Sequence, residues 1–198
     1  MRTARSLSFL AVPVPALSVP ILFVLTLPAE AKHSHDGERM KQVSWSKADG
    51  EFGAQLFFTD KPNQLFGEWN KPSPGIEIPT TAVVHRGQPL VAVVVFTGCG
   101  ADAKGLAQST VRYTAYRPDG TVYGKPAAGE LWVDKPPPAR DQLQLGVLYV
   151  GTVIEPDDPL GEYKIVAEVV DHVTGKSLKL SRKFTAKDRA AEDELLAE

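Results

Sequence analysis

From Phe52 onward the chain alternates between apolar and polar positions. In "FGAQLFFT", Phe52, Ala54, Leu56 and Phe58 occupy every second place, the period of a strand with one face on a core. "TAVVHRGQPLVAVVVF" divides into two extended pieces at "RGQP". The second piece, Leu90 to Phe96, is uniformly apolar and rich in valine. That suits a strand covered on both faces, and it is too short and too β-branched for a buried helix. In "STVRYTAYRPDGTVYG", Val111, Tyr113 and Ala115 alternate with Thr110, Arg112 and Thr114. The turn that follows has a mechanism: Pro118 sets φ, Asp119 bonds its own backbone, and Gly120 accepts a left-handed conformation. A hairpin is expected, with Thr121–Tyr123 as the short partner.

"GELWV" adds another short strand, and "QLQLGVLYVGTVIEP" alternates through Leu143, Leu145, Val147 and Tyr149, with Gly146 and Gly151 marking bends or a bulge. The last pair is strongly patterned. Tyr163, Ile165, Ala167 and Val169 face one way, with Lys164 and Glu168 opposite. Leu178, Leu180 and Phe184 share a face, with Lys179, Ser181 and Lys183 opposite, and "DHVTGK" joins the two strands. Between these elements, "QLFGEWNKPSPG" reads as a loop. "DKPPPARD" reads as a stiff extended connection, because three prolines lack donors; a proline-reading partner is its functional alternative. Residues 32–50 are a polar tail, and 187–198, "KDRAAEDELLAE", an acidic tail that forms at most a frayed helix. The expectation for 51–186 is an all-β antiparallel sandwich of about seven to nine strands.

The start of the chain has another character. Arg2 and Arg5 precede an uncharged apolar run from Leu7 to Leu27, which ends in "PAEA". A basic start, an apolar middle and small residues two apart describe a secretory signal peptide over 1–31, cut after Ala31. A retained membrane anchor is the rival by length, but Pro13, Pro15 and Pro20 each remove a helix hydrogen bond. The location implied is periplasmic or secreted, with no membrane span after processing. Cleavage removes Arg2, Arg5 and Glu30, leaving 20 basic and 23 acidic residues, a net charge of −3. That balance gives no footprint for nucleic acid.

Cys99 is the one cysteine, so no disulfide forms within the chain. Its setting, "FTGCGADAKG", follows the most apolar run of the mature chain. "GCG" resembles the internal thioester of complement-like proteins, but that bond needs a glutamine where Asp102 stands. Cys99 is read as a small residue ending a buried strand, with a Cys99-linked dimer as the alternative.

"EPDDPLGEYKIVAEVVD" resembles the acid-x-x-Gly-x-Tyr stretch of immunoglobulin-like and fibronectin-like domains. There a tyrosine near the start of a late strand bonds back to the preceding corner. Asp158, Gly161 and Tyr163 occupy those roles here. The spacing is one residue longer than the commonest immunoglobulin form, and the strand has no cysteine. The resemblance implies an immunoglobulin-like fold and, by itself, no function.

A narrower resemblance is to the periplasmic copper-binding sandwiches of the copper-resistance C type. Gly161, Tyr163, Asp171, His172, Gly175 and Phe184 follow their closing pattern, and they use a histidine at the processed N-terminus. The resemblance implies copper, or zinc, held by His33, His35, Asp171 and His172, with Asp36 as a further oxygen donor. Here Lys32, not histidine, would be the first residue. Asp171 and His172 are adjacent, so on a strand they point to opposite faces.

Other chemistry finds little support. There is no Gly-x-Ser-x-Gly elbow, zinc helix or phosphate loop. Glu155, Asp157 and Asp158 suit a turn better than a calcium site. Trp69 and Trp132, with Trp45 beside them in the same reading, form a candidate sugar-stacking platform, with packing as their commoner use. The reading that results is a non-enzymatic exported domain, with no resident cofactor, that binds an envelope or extracellular protein or acts as a spacer. A copper or zinc handler and a carbohydrate-binding module are the alternatives.

Overall fold

The computed structural model describes residues 42–71, 77–139 and 142–189. The expected leader over 1–31 with its cut after Ala31, the histidines His33 and His35, and residues 190–198 lie outside them. The described chain is predominantly β, as the alternation requires. Ten strands occur among the described residues: β1 Ser46–Asp49, β2 Phe52–Thr59, β3 Val83–His85, β4 Pro89–Thr97, β5 Ala107–Tyr116, β6 Val122–Lys135, β7 Gln144–Leu145, β8 Val150–Val153, β9 Gly161–Asp171 and β10 Lys176–Lys187. They form two five-stranded sheets. One runs β1-β2-β4, with β7 and β8 both paired to β4; the other runs β3-β10-β9-β5-β6. All pairs are antiparallel except β3 with β10.

The alternating residues of both sheets meet in a single core. Phe52, Leu56 and Phe58 of β2 and Leu90, Val94 and Phe96 of β4 belong to it. So do Val111 and Tyr113 of β5, Tyr163 and Ile165 of β9, and Leu180 and Phe184 of β10. Phe184 anchors one region, stacked on Tyr163 at 5.4 Å and edge-on to Phe58 at 5.7 Å.

The other face of β4 is buried as well. Val91 and Val93 form a second cluster with Leu65, flanked by Phe57, Phe66, Trp69, Leu145 and Tyr149. The covering element is a helix, α1 Pro62–Trp69, where the sequence predicts a loop. Pro62 sits in its first turn, where a missing N–H costs nothing. Leu65, Phe66 and Trp69 then gather on the side facing the sheet. Propensity is weak here, so burial against the valines of β4 is what holds eight residues in a helix.

Other boundaries also move. The polar tail ends early, because Ser46–Asp49 pairs with β2 as β1. Thr121–Tyr123 and "GELWV" are not separate strands. Thr121 belongs to the turn, and Val122, Tyr123 and "GELWV" lie in one long β6, whose register against β5 shifts at bulges. Residues 142–153 are not one strand either. Gly146 N donates to Val94 O, then Val147 N and Leu148 N donate to Leu131 O and Glu130 O of the opposite sheet. The chain thus leaves β4, touches the edge of β6 and returns as β8.

Leu65→Ala is expected to lower unfolding free energy by about 3 kcal/mol in urea titration, through lost burial and a residual cavity. Leu143→Ala, at a site 44% exposed, is expected to change it by less than about 0.5 kcal/mol.

Candidate functional site

Three places gather polar chemistry. The first is one end of the body, where the loop after β4 meets the β9–β10 turn. Asp171 closes β9 and is fully buried. Its carboxylate accepts from Gly100 N at 2.8 Å, Val173 N at 3.1 Å and Thr174 Oγ1 at 2.7 Å. It therefore pins the turn to the loop carrying Cys99. His172 turns the other way, exposed, with Nε2 2.8 Å from Thr110 Oγ1. The two candidate metal ligands do not share a face, as the strand period requires. Among the described residues no three metal-ligating side chains come together, and His33 and His35 lie outside them.

"GCG" is explained by crowding. Gly98 has φ +66°, and a Cβ there would lie 1.9 Å from Glu51 O. A Cβ on Gly100 would lie 2.6 Å from Thr174 Cγ2. Cys99 between them is 7% exposed. Burial first, and the Asp171 charge second, push its thiol up to about 11. A thiol held protonated in this way is a poor nucleophile at neutral pH.

The second place is the opposite end. Tyr163 Oη donates to Pro159 O at 2.7 Å, the bond of a tyrosine corner. Tyr123 donates to Asp158, which also accepts from Glu155 N at 2.9 Å. Arg86 holds the same loop through Glu155 O and Pro156 O. The acidic cluster is thus a fastened turn, with Asp158 as its staple. Burial raises Tyr163 to about 12 and pushes Tyr113 and Tyr123 higher still.

The tryptophans do not form one platform. Trp69 lies in the outer cluster under α1. Trp132 packs against the inner core, 6.0 Å from Phe96, with Lys135 Nζ 4.6 Å from its ring centre. Trp69 instead shares its cluster with Phe57, Phe66 and Tyr149, and the last two rings lie 4.9 Å apart.

The third place lies on β10, at Arg182. Arg182 falls in the apolar phase of β10, between Leu180 and Phe184. Its guanidinium lies 5.2 Å from the ring centre of Trp45 and 5.7 Å from those of Phe57 and Phe58. Nη1 donates to Leu56 O at 3.1 Å. Burial lowers its pKa.

No family model matches the chain, and no curated protein matches it. Among solved structures, it is similar to a family 123 glycoside hydrolase from Clostridium perfringens, with 10% identity over 71% of this chain and 28% of that one, TM-score 0.37. It is also similar to the alkylpurine DNA glycosylase AlkC of Pseudomonas fluorescens, with 15% identity over 54% of this chain and 28% of that one, TM-score 0.31. A third likeness is to a putative DNA-binding protein from Bacteroides vulgatus, with 12% identity over 73% of each chain, TM-score 0.27. The match spans little more than a quarter of the first two proteins. Likenesses of this depth carry no argument about activity.

Two expectations follow. Asp171→Ala leaves three donors without their acceptor and is expected to cost on the order of 3 kcal/mol in urea unfolding. Stability is expected to fall as pH rises from about 9, since the folded state holds protons on Cys99 and the buried tyrosines that the unfolded chain releases. Cys99→Ala should lessen that fall between pH 9 and about 11 and leave the tyrosine share in place, read from urea midpoints across the pH series.

Proposed function

We propose that the chain is an exported immunoglobulin-like β-sandwich that works by binding a protein of the cell envelope, without catalysis of its own. The leader-like pattern over 1–31 supports export. The two sheets closed over one core, with the Tyr163 corner, support the immunoglobulin-like reading.

One observation carries the binding role. The outer face of the first sheet, where solvent-facing strands normally turn polar, bears Phe57, Phe66, Trp69, Leu145 and Tyr149, all only half-buried around α1. Aromatic side chains that stay partly in contact with water are enriched in protein contact surfaces. The polar groups at the two ends of the body are occupied in holding turns, which supports a role other than catalysis.

The test places a photo-crosslinking amino acid at Gln64, exposed on α1, and separately at Lys125, on the β6 edge. A discrete adduct with an envelope protein from Gln64 but not from Lys125 is expected in intact cells. A protein recovered from the cytoplasm with its leader intact, or identical adduct patterns from both sites, would defeat the proposal.

A further inference from the structure

Arg182 stands on β10 between Leu180 and Phe184, in the phase that turns toward the core. Its guanidinium lies 5.7 Å from the ring centres of both Phe57 and Phe58. Those two neighbours project from opposite faces of β2, Phe58 into the inner core and Phe57 into the outer cluster under α1. A group equally close to both stands at the edge of the strand rather than on either face.

That edge is shared by two short segments. Leu56 N donates to Trp45 O, and Thr81 N donates to Phe58 O. Between them Arg182 Nη1 donates to Leu56 O at 3.1 Å, so a side chain takes the place of a neighbouring strand. A guanidinium has five donors, and this bond uses one.

The nearby cations of β10 are matched. Lys179 meets Glu168 at 2.9 Å and Lys183 meets Glu162 at 2.6 Å. Among the described residues Arg182 has no carboxylate partner, and burial lowers its pKa with no acid to offset it. Trp45, partly buried like Arg182, lies 5.2 Å from the guanidinium and 5.9 Å from Phe57. Through Phe57 the site is continuous with the aromatic face around α1. One margin of an apolar face thus carries a partly desolvated cation. Such a guanidinium gains most from a carboxylate, which accepts two parallel N–H bonds. Arginine and tryptophan are also the residues in which binding energy concentrates at contact surfaces.

We propose that Arg182, Trp45 and Phe57 form a receptor for a carboxylate borne beside an apolar group, presented by the envelope partner as an extended segment with Asp or Glu two places from a large apolar residue. Residues two apart on a strand share a face and lie about 7 Å apart. That spacing is comparable with the 5.2 to 5.7 Å between the guanidinium and the two rings. The inference rests on the partner-binding reading for the presenter, whereas the receptor is a property of this chain alone.

The experiment titrates the full mature chain, ¹⁵N-labelled, with hydrocinnamate, a carboxylate beside a ring, and in parallel with its neutral amide. Saturable shifts of the Arg182 Nε–H and Trp45 indole N–H resonances are expected with the acid in the millimolar range. The amide is expected to bind about tenfold more weakly, for want of the charge-assisted pair. Arg182→Met keeps an apolar stem over the rings and should abolish that preference. Arg182→Lys, with a charge but no fork, should retain only part of it. No saturable shift from the acid in the parent chain, or equal binding of acid and amide, would overturn the proposal whatever the variants do. Arg182 shifts that grow with protein concentration before any ligand is added would make a second copy the occupant and overturn it too. In cells, Arg182→Met should weaken the adduct formed from Gln64 severalfold. An undiminished adduct would sink the role of Arg182 and leave the partner-binding reading standing. No adduct from Gln64 in the parent, with the acid still preferred to the amide, would remove the partner and leave the receptor.

Discussion

The structure depends on the burial of β4 on both faces. Leu90, Ala92, Val94 and Phe96 point into the shared core, and Val91 and Val93 point the other way, all nearly without solvent. A strand of this kind cannot lie at a surface, because each apolar side chain left in water would forfeit roughly 1.5–3 kcal/mol. It demands a sheet on one side and a covering element on the other. The second sheet answers the first demand, and α1 answers the second. The short β7 and β8 pair with β4 on the side away from β2, so the hub strand has neighbours on both edges.

Two facing sheets have edges, and edges offer unpaired backbone to other chains. Here both seams are crossed by the chain. Residues 146–148 tie β4 to the edge of β6, and Tyr113 reinforces the crossing by donating to Leu148 O. Residues 44–46 and 81–82 tie β2 to β10, with Arg182 reaching Leu56 O between them. On β6 the register shift opposite Thr114 takes in Gly124, Lys125 and Pro126. A bulge, a lysine and a proline are each means of blunting an edge. With one cysteine in the chain and so no internal disulfide, these crossings supply cross-bracing of the kind that cysteine pairs give elsewhere.

Most of the polar residues that attract attention in isolation have structural work. Asp171 fastens two turns, Asp158 staples a loop, and Tyr163 locks a corner. The remaining prominent side chains are of another kind: partly buried aromatic rings around α1, and a guanidinium near Trp45, Phe57 and Phe58.

Strand period was the part legible in the residues alone. The alternations in β2, β5, β9 and β10 gave their inward and outward faces, because a two-residue repeat is local and survives any topology. The turn at Arg117–Thr121 was equally local, and so was the opposition of Asp171 and His172. Arg182 was within reach of the same rule, since it stands in the apolar phase of β10. Tertiary structure alone decided the rest. Nothing near Pro62–Trp69 favours a helix strongly enough to announce one; the outer valines of β4, about thirty residues on, hold it there. The crossing of residues 146–148 between sheets, and the separation of Trp69 from Trp132, likewise depend on which strands become neighbours. A side chain's phase is written in its immediate sequence, whereas its partners are set by burial between segments far apart in the chain.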